Sequence, residues 1–303
     1  MRSSPQALGA LAVLVFAMTI PMTRLANGTL DDPQLPPLFV AMSRSALAGV
    51  LAALYLITVK APWPRRAQWP LLAAVVAGAI VVFPVCMGWA VRVAPAMHAS
   101  VLIGALPLAT AALAAWWLRQ QPGPWFWWAA GAGCALVAAY ALRSVQQGGV
   151  AGHALIAADA MMVLALLGGA LAYVAGAVLS RQMAASHVIS WALVLALPIT
   201  GIGAWLCRPA GEAALAVQGS AWVALACLAI GPTWLGYFAW YAALAREPMR
   251  VSQLQLMQPF LSIGLAGLLL GEVLDPVTLV FAAAVLSTVL VAQRKPSPLG
   301  ATA

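Results

Sequence analysis

Long apolar runs, separated by short polar segments, fill almost the whole chain. About 20 apolar residues in a helix, at roughly 1.5 Å per residue, cross the hydrocarbon layer of a bilayer. Backbone polar groups must be hydrogen-bonded internally in lipid, so each run is predicted to be a helix. The pattern therefore predicts an all-α integral membrane protein with ten transmembrane helices, at about 7–25, 37–59, 69–91, 95–118, 124–142, 158–180, 189–207, 220–243, 249–270 and 276–293.

The amino-acid composition agrees with a chain that lies mostly in the lipid bilayer. Of the 303 residues, 64% are hydrophobic and 7% are charged, whereas soluble domains have about 25% charged residues. This leaves no room for a soluble domain beyond loops and tails. The four cysteines show no C-x-x-C spacing and lie in or beside apolar runs, so neither a metal site nor a disulfide framework is predicted, and no cofactor is expected.

Basic residues between the runs predict the orientation of the chain. The formal net charge is +8, but the charges are scattered and form no basic cluster with aromatic residues, so nucleic-acid binding is not expected. With the N-terminus placed in the cytoplasm, the positive-inside rule is obeyed, and the bias predicts a multi-pass protein of the inner membrane with both termini cytoplasmic. The cytoplasmic side would hold Arg2, Lys60, Arg65, Arg66, Arg119, Arg181, Arg246, Arg250, Arg294 and Lys295, and the opposite side Arg92, Arg143 and Arg208.

The two halves of the chain match each other when the sequence is shifted by 152 positions. Each half contains five predicted spans, an odd number, so the second half is expected to be inserted upside down relative to the first. Inverted repeats of this kind are typical of transporters. We therefore expect one five-helix repeat over residues 1–147 and an inverted one over 148–303. The matched pairs are Ser100 with Ser252, Pro107 with Pro259, Thr110 with Ser262, Gln120 with Glu272, and Pro124 with Pro276.

These motifs resemble the drug/metabolite transporter superfamily, in particular its EamA-type members. The resemblance rests on the helix ending in Leu-Leu-Leu-Gly-Glu272, its counterpart ending in Trp-Trp-Leu-Arg-Gln120, the mid-helix prolines, Arg44 in the second span and the segment Phe-Ala-Met-Thr-Ile-Pro21. It implies ten spans in two five-span repeats and transport of small organic solutes. Gln120 departs from the acidic residue often found at that position. Bacterial exporters of aromatic amino acids are a possible relative within the superfamily.

Polar residues on the ninth predicted span are the first candidates for a solute cavity. Ser252, Gln255, Pro259 and Ser262 follow steps of three or four residues and share one helical face, which Gln258 borders. Amide side chains avoid lipid, so this face is expected to meet protein or water. Cavity lining and interhelical hydrogen bonding both remain open, and the neighbouring proline favours the cavity because bent helices expose backbone carbonyls.

Other candidates lie on several spans. Arg44 is expected to face the interior, either in a structural role or bound to the carboxylate of a substrate. His98 is either an interfacial histidine or the titratable group nearest the substrate path. The remaining cavity candidates are Trp89, Ser100, Tyr173, Trp234 and Tyr237, for which simple packing is the alternative, and the candidate bends are Pro21, Pro84, Pro107, Pro232 and Pro259.

Acidic residues are expected only at the ends of spans or in loops, with Asp159 at an end. We therefore expect transport without a buried carboxylate, either down the gradient of the solute or with His98 as the titrating group. The three histidines show no carboxylate at a useful spacing in the sequence.

The predicted function is a secondary transporter or facilitator that exports small metabolites, most of all aromatic or apolar amino acids, by alternating access around a central cavity. The expected partners are this solute and the bilayer, and the protein is expected to be a monomer or a homodimer, since Gly267 and Gly271 form a GxxxG pair. Two alternatives remain open: a membrane-embedded enzyme, which needs a catalytic constellation, and a channel, which needs a filter-like motif.

Overall fold

Helices follow one another along the chain, which is described here by a computed structural model covering residues 4–117, 119, 123–147, 152–246 and 254–293. No strand occurs in these ranges, and the only β-type pairing there is an isolated bridge between Gly28 and Pro33. We number the main helical elements α1 (Pro5–Ala17 and Thr19–Asn27), α2 (Pro37–Thr58), α3 (Arg66–Gln68, Trp69–Val75, Val76–Val82 and Phe83–Val93), α4 (Ala96–Ile103 and Leu106–Trp117), α5 (Pro124–Gln147), α6 (Gly152–Leu179), α7 (Ala185–Leu206), α8 (Gly219–Ile230, Gly231–Leu235 and Gly236–Arg246), α9 (Gln255–Met257 and Gln258–Leu270) and α10 (Pro276–Gln293).

Helices α1 to α8 are long and apolar enough to cross a membrane, while α9 and α10 are shorter apolar helices over their described residues. The prediction of an all-helical membrane protein is confirmed, and eight of the ten predicted spans reach full length. The predicted ninth span began at residue 249, and 247–253 lie outside the described residues. We call the side of the bundle where α1 begins the near face and the opposite side the far face.

Proline residues leave backbone carbonyls without a partner inside their own helices, and neighbouring helices supply one. Proline has no N–H, so the carbonyl four residues earlier is not bonded within the helix. For Pro21 this is the carbonyl of Ala17, which accepts a hydrogen bond from Oγ of Ser262 at 2.8 Å. For Pro84 it is the carbonyl of Ile80, which lies 3.4 Å from Oγ of Ser45. Hydroxyl groups thus satisfy the freed carbonyls, as buried backbone requires.

Helices α4 and α9 run antiparallel and are joined at the far face. The Glu272 carboxylate accepts hydrogen bonds from the backbone N–H groups of Ala96 at 2.7 Å and Met97 at 2.9 Å. A carboxylate at this place satisfies N–H groups that the first helical turn leaves free, and it is favoured by the helix dipole. Further along α4, a methyl group on Gly104 would lie 3.1 Å from Cγ of Pro259. The acidic residue of the Leu-Leu-Leu-Gly-Glu motif therefore caps α4.

Gly271 ends α9. Its φ of 66° lies in the left-handed region, which glycine enters without steric cost. Among the described residues, a Cβ at Gly271 would meet nothing within 4 Å. This conformation explains why the motif carries glycine immediately before Glu272.

Helix α6 runs through the middle of the bundle and is approached closely by α3 and α8. A methyl group on Gly78 would collide with the backbone oxygen of Gly168, and one on Gly176 would collide with the hydroxyl group of Tyr241. The Tyr241 hydroxyl donates to the carbonyl of Ala172 at 3.1 Å. Small residues therefore set the distance between these helices, as is common in membrane bundles.

Candidate solute cavity

A cavity lies between seven helices in the interior of the bundle. Its volume is about 20 Å³, which is room for about one water molecule. An amino acid does not fit in this space, so the conformation described is a closed one. The lining residues are Phe16, Thr19, Arg44, Ala79, Phe83, Leu106, Gly169, Tyr173, Pro232, Tyr237 and Gln258.

Arg44 brings a positive charge to the cavity. Its side chain is buried, with 4% of the residue exposed, and Nε donates to Oγ1 of Thr233 at 2.8 Å. Its Nη1 is buried and has no hydrogen-bond partner among the described residues. A charged donor without an acceptor is costly in a membrane interior. The cavity therefore has an unused cationic donor on its wall.

Gln258 adds a polar acceptor to the same cavity. It is buried, and its Oε1 has no partner among the described residues. The neighbouring residue, Pro259, lies at the close approach to Gly104, which fixes the start of this helical segment against α4. A free acceptor and a free cationic donor thus line one space.

Aromatic rings form the apolar part of the cavity wall. The ring centroids of Phe16 and Tyr237 are 5.1 Å apart in an edge-to-face arrangement, and those of Tyr173 and Tyr237 are 6.2 Å apart. Trp240 packs behind them, 5.6 Å from Tyr173. Such rings suit a flat apolar group.

Two π-helical segments border the cavity, Val76–Val82 in α3 and Gly231–Leu235 in α8. Ala79 from the first and Pro232 from the second line the space. Shifted by 152 positions, the first segment covers 228–234 and overlaps the second. Single π-helical turns are often found at functional sites.

Comparison with known proteins places the chain in a family. The model of the EamA-like transporter family matches residues 4–143 and again 156–293. The chain belongs to the EamA-like transporter family. It is 36% identical over 265 residues to the Uncharacterized transporter YdeK of Bacillus subtilis (strain 168), a match that covers 87% of this chain and 88% of that protein. A crystal structure described only as that of a protein has a TM-score of 0.64 and 17% identity over 99% of this chain and 100% of its own, which supports the fold alone.

This EamA-like chain is thus a multi-pass membrane transporter, as the sequence predicted. The prediction that it is not an enzyme agrees with the family. Of the predicted cavity residues, Arg44, Tyr173, Tyr237, Gln258 and the candidate bend Pro232 line one space in this transporter.

Other predicted residues lie elsewhere in the transporter. Trp89 is 52% exposed and lies on the outside of the bundle, so the structure does not place it on the cavity wall. Ser100 donates to the Ala96 carbonyl of its own helix. The indole N–H of Trp234 donates to Oγ of Ser190 on α7 at 3.1 Å. Gln255 is buried outside the cavity lining.

The polar face of α9 therefore has two roles in this EamA-like transporter. Gln258 lines the cavity, while Ser262 bonds the carbonyl that Pro21 leaves free. Both interpretations that the sequence left open apply, to different residues. Ser252 and Gln120 lie outside the described residues.

The sequence shows no carboxylate at a useful spacing from any of the three histidines, but the structure gives His98 a carboxylate partner. Its Nε2 lies 2.6 Å from Oδ1 of Asp159, and both residues are buried. Asp159 lies seven positions beyond the start of α6, inside the span rather than at its end. The two residues are 61 positions apart in the sequence, so no local sequence pattern predicts the contact.

Several cavity residues of this transporter were missed by sequence reasoning. Phe16, Thr19 and Phe83 line the space, and Thr233 holds Arg44. The signal for Thr233 and Phe83 was present, because each is adjacent to a proline inside an apolar run.

Proposed function

We propose that this protein exports amino acids with aromatic or apolar side chains across the inner membrane, by alternating access around the cavity at Arg44. The observation that carries the proposal is the buried Nη1 of Arg44, which has no partner among the described residues. A carboxylate bound to this donor would replace its lost hydration, since hydrogen bonds between guanidinium and carboxylate groups are strong and directional.

The remaining cavity groups fit the rest of an amino acid. The free Oε1 of Gln258 is an acceptor for an ammonium group. Phe16, Tyr173 and Tyr237 offer aromatic surface to its side chain. A zwitterion brings no net charge, so one arginine and one amide are sufficient polar partners.

Alternating access is supported by the organisation of the chain into two halves. We infer inverted repeats over 1–147 and 148–303, because the family model matches once in each half and α4 and α9 run antiparallel. The π-helical segments of α3 and α8 occupy overlapping positions in the two repeats. Exchange of conformation between the halves would open the cavity alternately to the near and far faces.

Opening must accompany binding, because the closed cavity has a volume of only about 20 Å³. The π-helical segments are the natural bending points, since both contribute residues to the cavity wall and π-bulges interrupt the regular helical hydrogen-bond ladder. We expect α3 and α8 to bend there when solute enters.

Counterflow in proteoliposomes tests the substrate class. Vesicles loaded with unlabelled phenylalanine are expected to take up labelled phenylalanine. Phenethylamine, which differs from phenylalanine only by the missing carboxylate, is expected to be exchanged at least tenfold less in the same assay. A panel of other amino acids and organic cations would define the range. Efficient exchange of phenethylamine or other organic cations without exchange of any amino acid would refute the proposal.

A further inference from the structure

A second cavity lies at the far face, separate from the solute cavity. Its volume is about 440 Å³, and it is lined by residues from α4 and the turn before it, from α5, α6 and α10, and from the segment after α9. These residues are Pro95, Met97, His98, Tyr140, Ser144, Leu155, Glu272, Val273, Asp275 and Thr278. Val273 is 89% exposed and Asp275 is also exposed, so the cavity opens to the outside of the bundle. Water therefore reaches the residues on its wall.

His98 stands between this cavity and Asp159. The imidazole lines the cavity, whereas its Nε2 lies 2.6 Å from Oδ1 of Asp159. A carboxylate only accepts hydrogen bonds, so Nε2 carries the hydrogen and Nδ1 is the nitrogen free to take up a proton. The other carboxylate oxygen, Oδ2, is buried and has no partner among the described residues. The ring of Tyr140 stacks on His98 with centroids 5.0 Å apart.

The other charged groups around the cavity already have structural partners. Both oxygens of Glu272 accept N–H groups at the start of α4. Asp275 accepts the N–H groups of Val277 and Thr278 at the start of α10, and the bond from Val277 holds the pKa of Asp275 below its usual value. Arg143 lies 4.0 Å from Asp275.

Tyr140 on the cavity wall and Arg24 on α1 also have hydrogen-bond partners. The hydroxyl group of Tyr140 is paired with Oγ1 of Thr278 at 3.1 Å. Arg24 on α1 donates to the carbonyls of Val91 and Ala94 at the end of α3. Among the described residues, His98 and Asp159 therefore form a buried titratable pair at this cavity that is not committed to a helix end.

We propose that His98 and Asp159 form a proton-binding site, loaded through the far-face cavity, that couples proton movement to the proposed transport. This rests on the proposed function and adds its coupling ion. A hydronium ion in the cavity gives one proton to Nδ1 of His98, which leaves a water molecule. The pair changes from neutral imidazole and carboxylate to imidazolium and carboxylate, and its net charge rises from −1 to 0. Release to water reverses the step.

Protonation strengthens a link between two helices that also wall the solute cavity. His98 lies on α4, which contributes Leu106 to that cavity, and Asp159 lies on α6, which contributes Gly169 and Tyr173. The carboxylate already makes this hydrogen bond charge-assisted, and protonation of the imidazole adds the attraction between two opposite charges. Binding of a proton therefore favours a state in which α4 and α6 are held together at the far face, and release favours their separation.

Chemical modification of His98 tests the site without any solute. Diethyl pyrocarbonate acylates only the unprotonated nitrogen of imidazole, and mass spectrometry separates peptides with His98 and His187, the latter serving as the internal reference. At pH 8, the modification rate of His98 in Asp159→Asn is expected to lie within twofold of its rate in the native protein. At pH 6, the variant is expected to react at least fivefold faster, because the carboxylate that lies 2.6 Å from Nε2 in the native protein is gone.

Either of two results would overturn the site. The first is an unmodified His98 at pH 8 under conditions in which His187 reacts, since the far-face cavity would then not give access to the imidazole. The second is an identical pH dependence in the native protein and Asp159→Asn, since the carboxylate would then not hold the proton.

Transport measurements test the coupling. Amino-acid accumulation driven by an imposed pH gradient is expected to be at least tenfold lower in Asp159→Asn and His98→Gln than in the native protein. The counterflow rate of both variants is expected to stay within about twofold of the native rate. Asp31→Asn, the same change at an exposed loop residue, should behave as the native protein does. Accumulation that survives in both variants, or that needs no pH gradient in the native protein, would overturn the coupling. Absence of all amino-acid flux would refute the proposed function instead, and the modification experiment still decides the proton site.

Discussion

Arg44 on α2 and Thr233 on α8 are joined by a hydrogen bond of 2.8 Å, although 189 positions separate them in the sequence. Thr233 lies within the π-helical segment Gly231–Leu235. The bond fixes one side of the guanidinium group and leaves Nη1 without a partner among the described residues. The position of the positive charge therefore depends on the conformation of α8.

Replacing Arg44 is expected to separate transport from stability. Arg44→Gln should lower amino-acid counterflow at least tenfold, because the carboxylate loses its cationic donor. Thermal unfolding in detergent should be unchanged or occur at higher temperature, since removal of an unpaired buried charge relieves a desolvation cost. Arg44→Lys should retain part of the flux, as a lysine gives a charge without the planar pair of donors.

The matched control for this change is Arg181→Gln, which removes an arginine from an exposed turn. It should leave counterflow within twofold of the native value. Native flux in Arg44→Gln would show that the solute does not bind at this residue.

Thr233→Val is expected to reduce counterflow about three- to tenfold, because Nε of Arg44 loses its acceptor and the guanidinium group is no longer fixed. Thr233→Ser keeps the hydroxyl group and should restore most of the flux, as measured in the same vesicles. Native flux in Thr233→Val together with a loss in Thr233→Ser would point to packing of the methyl group, which valine keeps and serine lacks, rather than to the hydrogen bond.

Cysteine substitution at α9 is expected to distinguish Gln258 from Gln255. In a background without the four native cysteines, Gln258→Cys should react with a small methanethiosulfonate reagent when the cavity opens, and substrate should slow the reaction. Gln255→Cys should stay unreactive, since Gln255 is buried outside the cavity lining. Protection of both positions in every condition would contradict a solute path at Gln258.

Gly176→Ala is expected to destabilise the fold by about 1–3 kcal/mol, the usual cost of an extra methyl group in a packed interior. The added Cβ would collide with the hydroxyl group of Tyr241. The double variant Gly176→Ala with Tyr241→Leu, which removes both the hydroxyl group and the ring carbons that the added Cβ would meet, should lose less stability than the sum of the two single variants, which a double-mutant cycle of unfolding in detergent would detect. Additive losses would mean that the two residues do not meet in the folded protein.

The sequence determined the class of fold and several of the residues that line the solute cavity. Apolar runs predict helices because lipid offers no partner to backbone groups, and the structure confirms the helices. Arg44, Tyr173, Tyr237 and Gln258 were candidates because polar or amphipathic groups inside an apolar run are costly to expose to lipid. The structure brings these four to one cavity.

Only the tertiary structure decided which groups meet. The contact of His98 with Asp159 and that of Arg44 with Thr233 each join different helices, and helix packing angles and depths do not follow from periodicity along one chain segment. The role of Glu272 as a cap of α4 likewise depends on where another helix begins. Hydropathy along the chain predicts how long each helix is and that it lies in lipid. The contacts between helices depend on the shapes of the side chains and on backbone carbonyls without a partner in their own helix, and these contacts become defined only when all the helices are packed together.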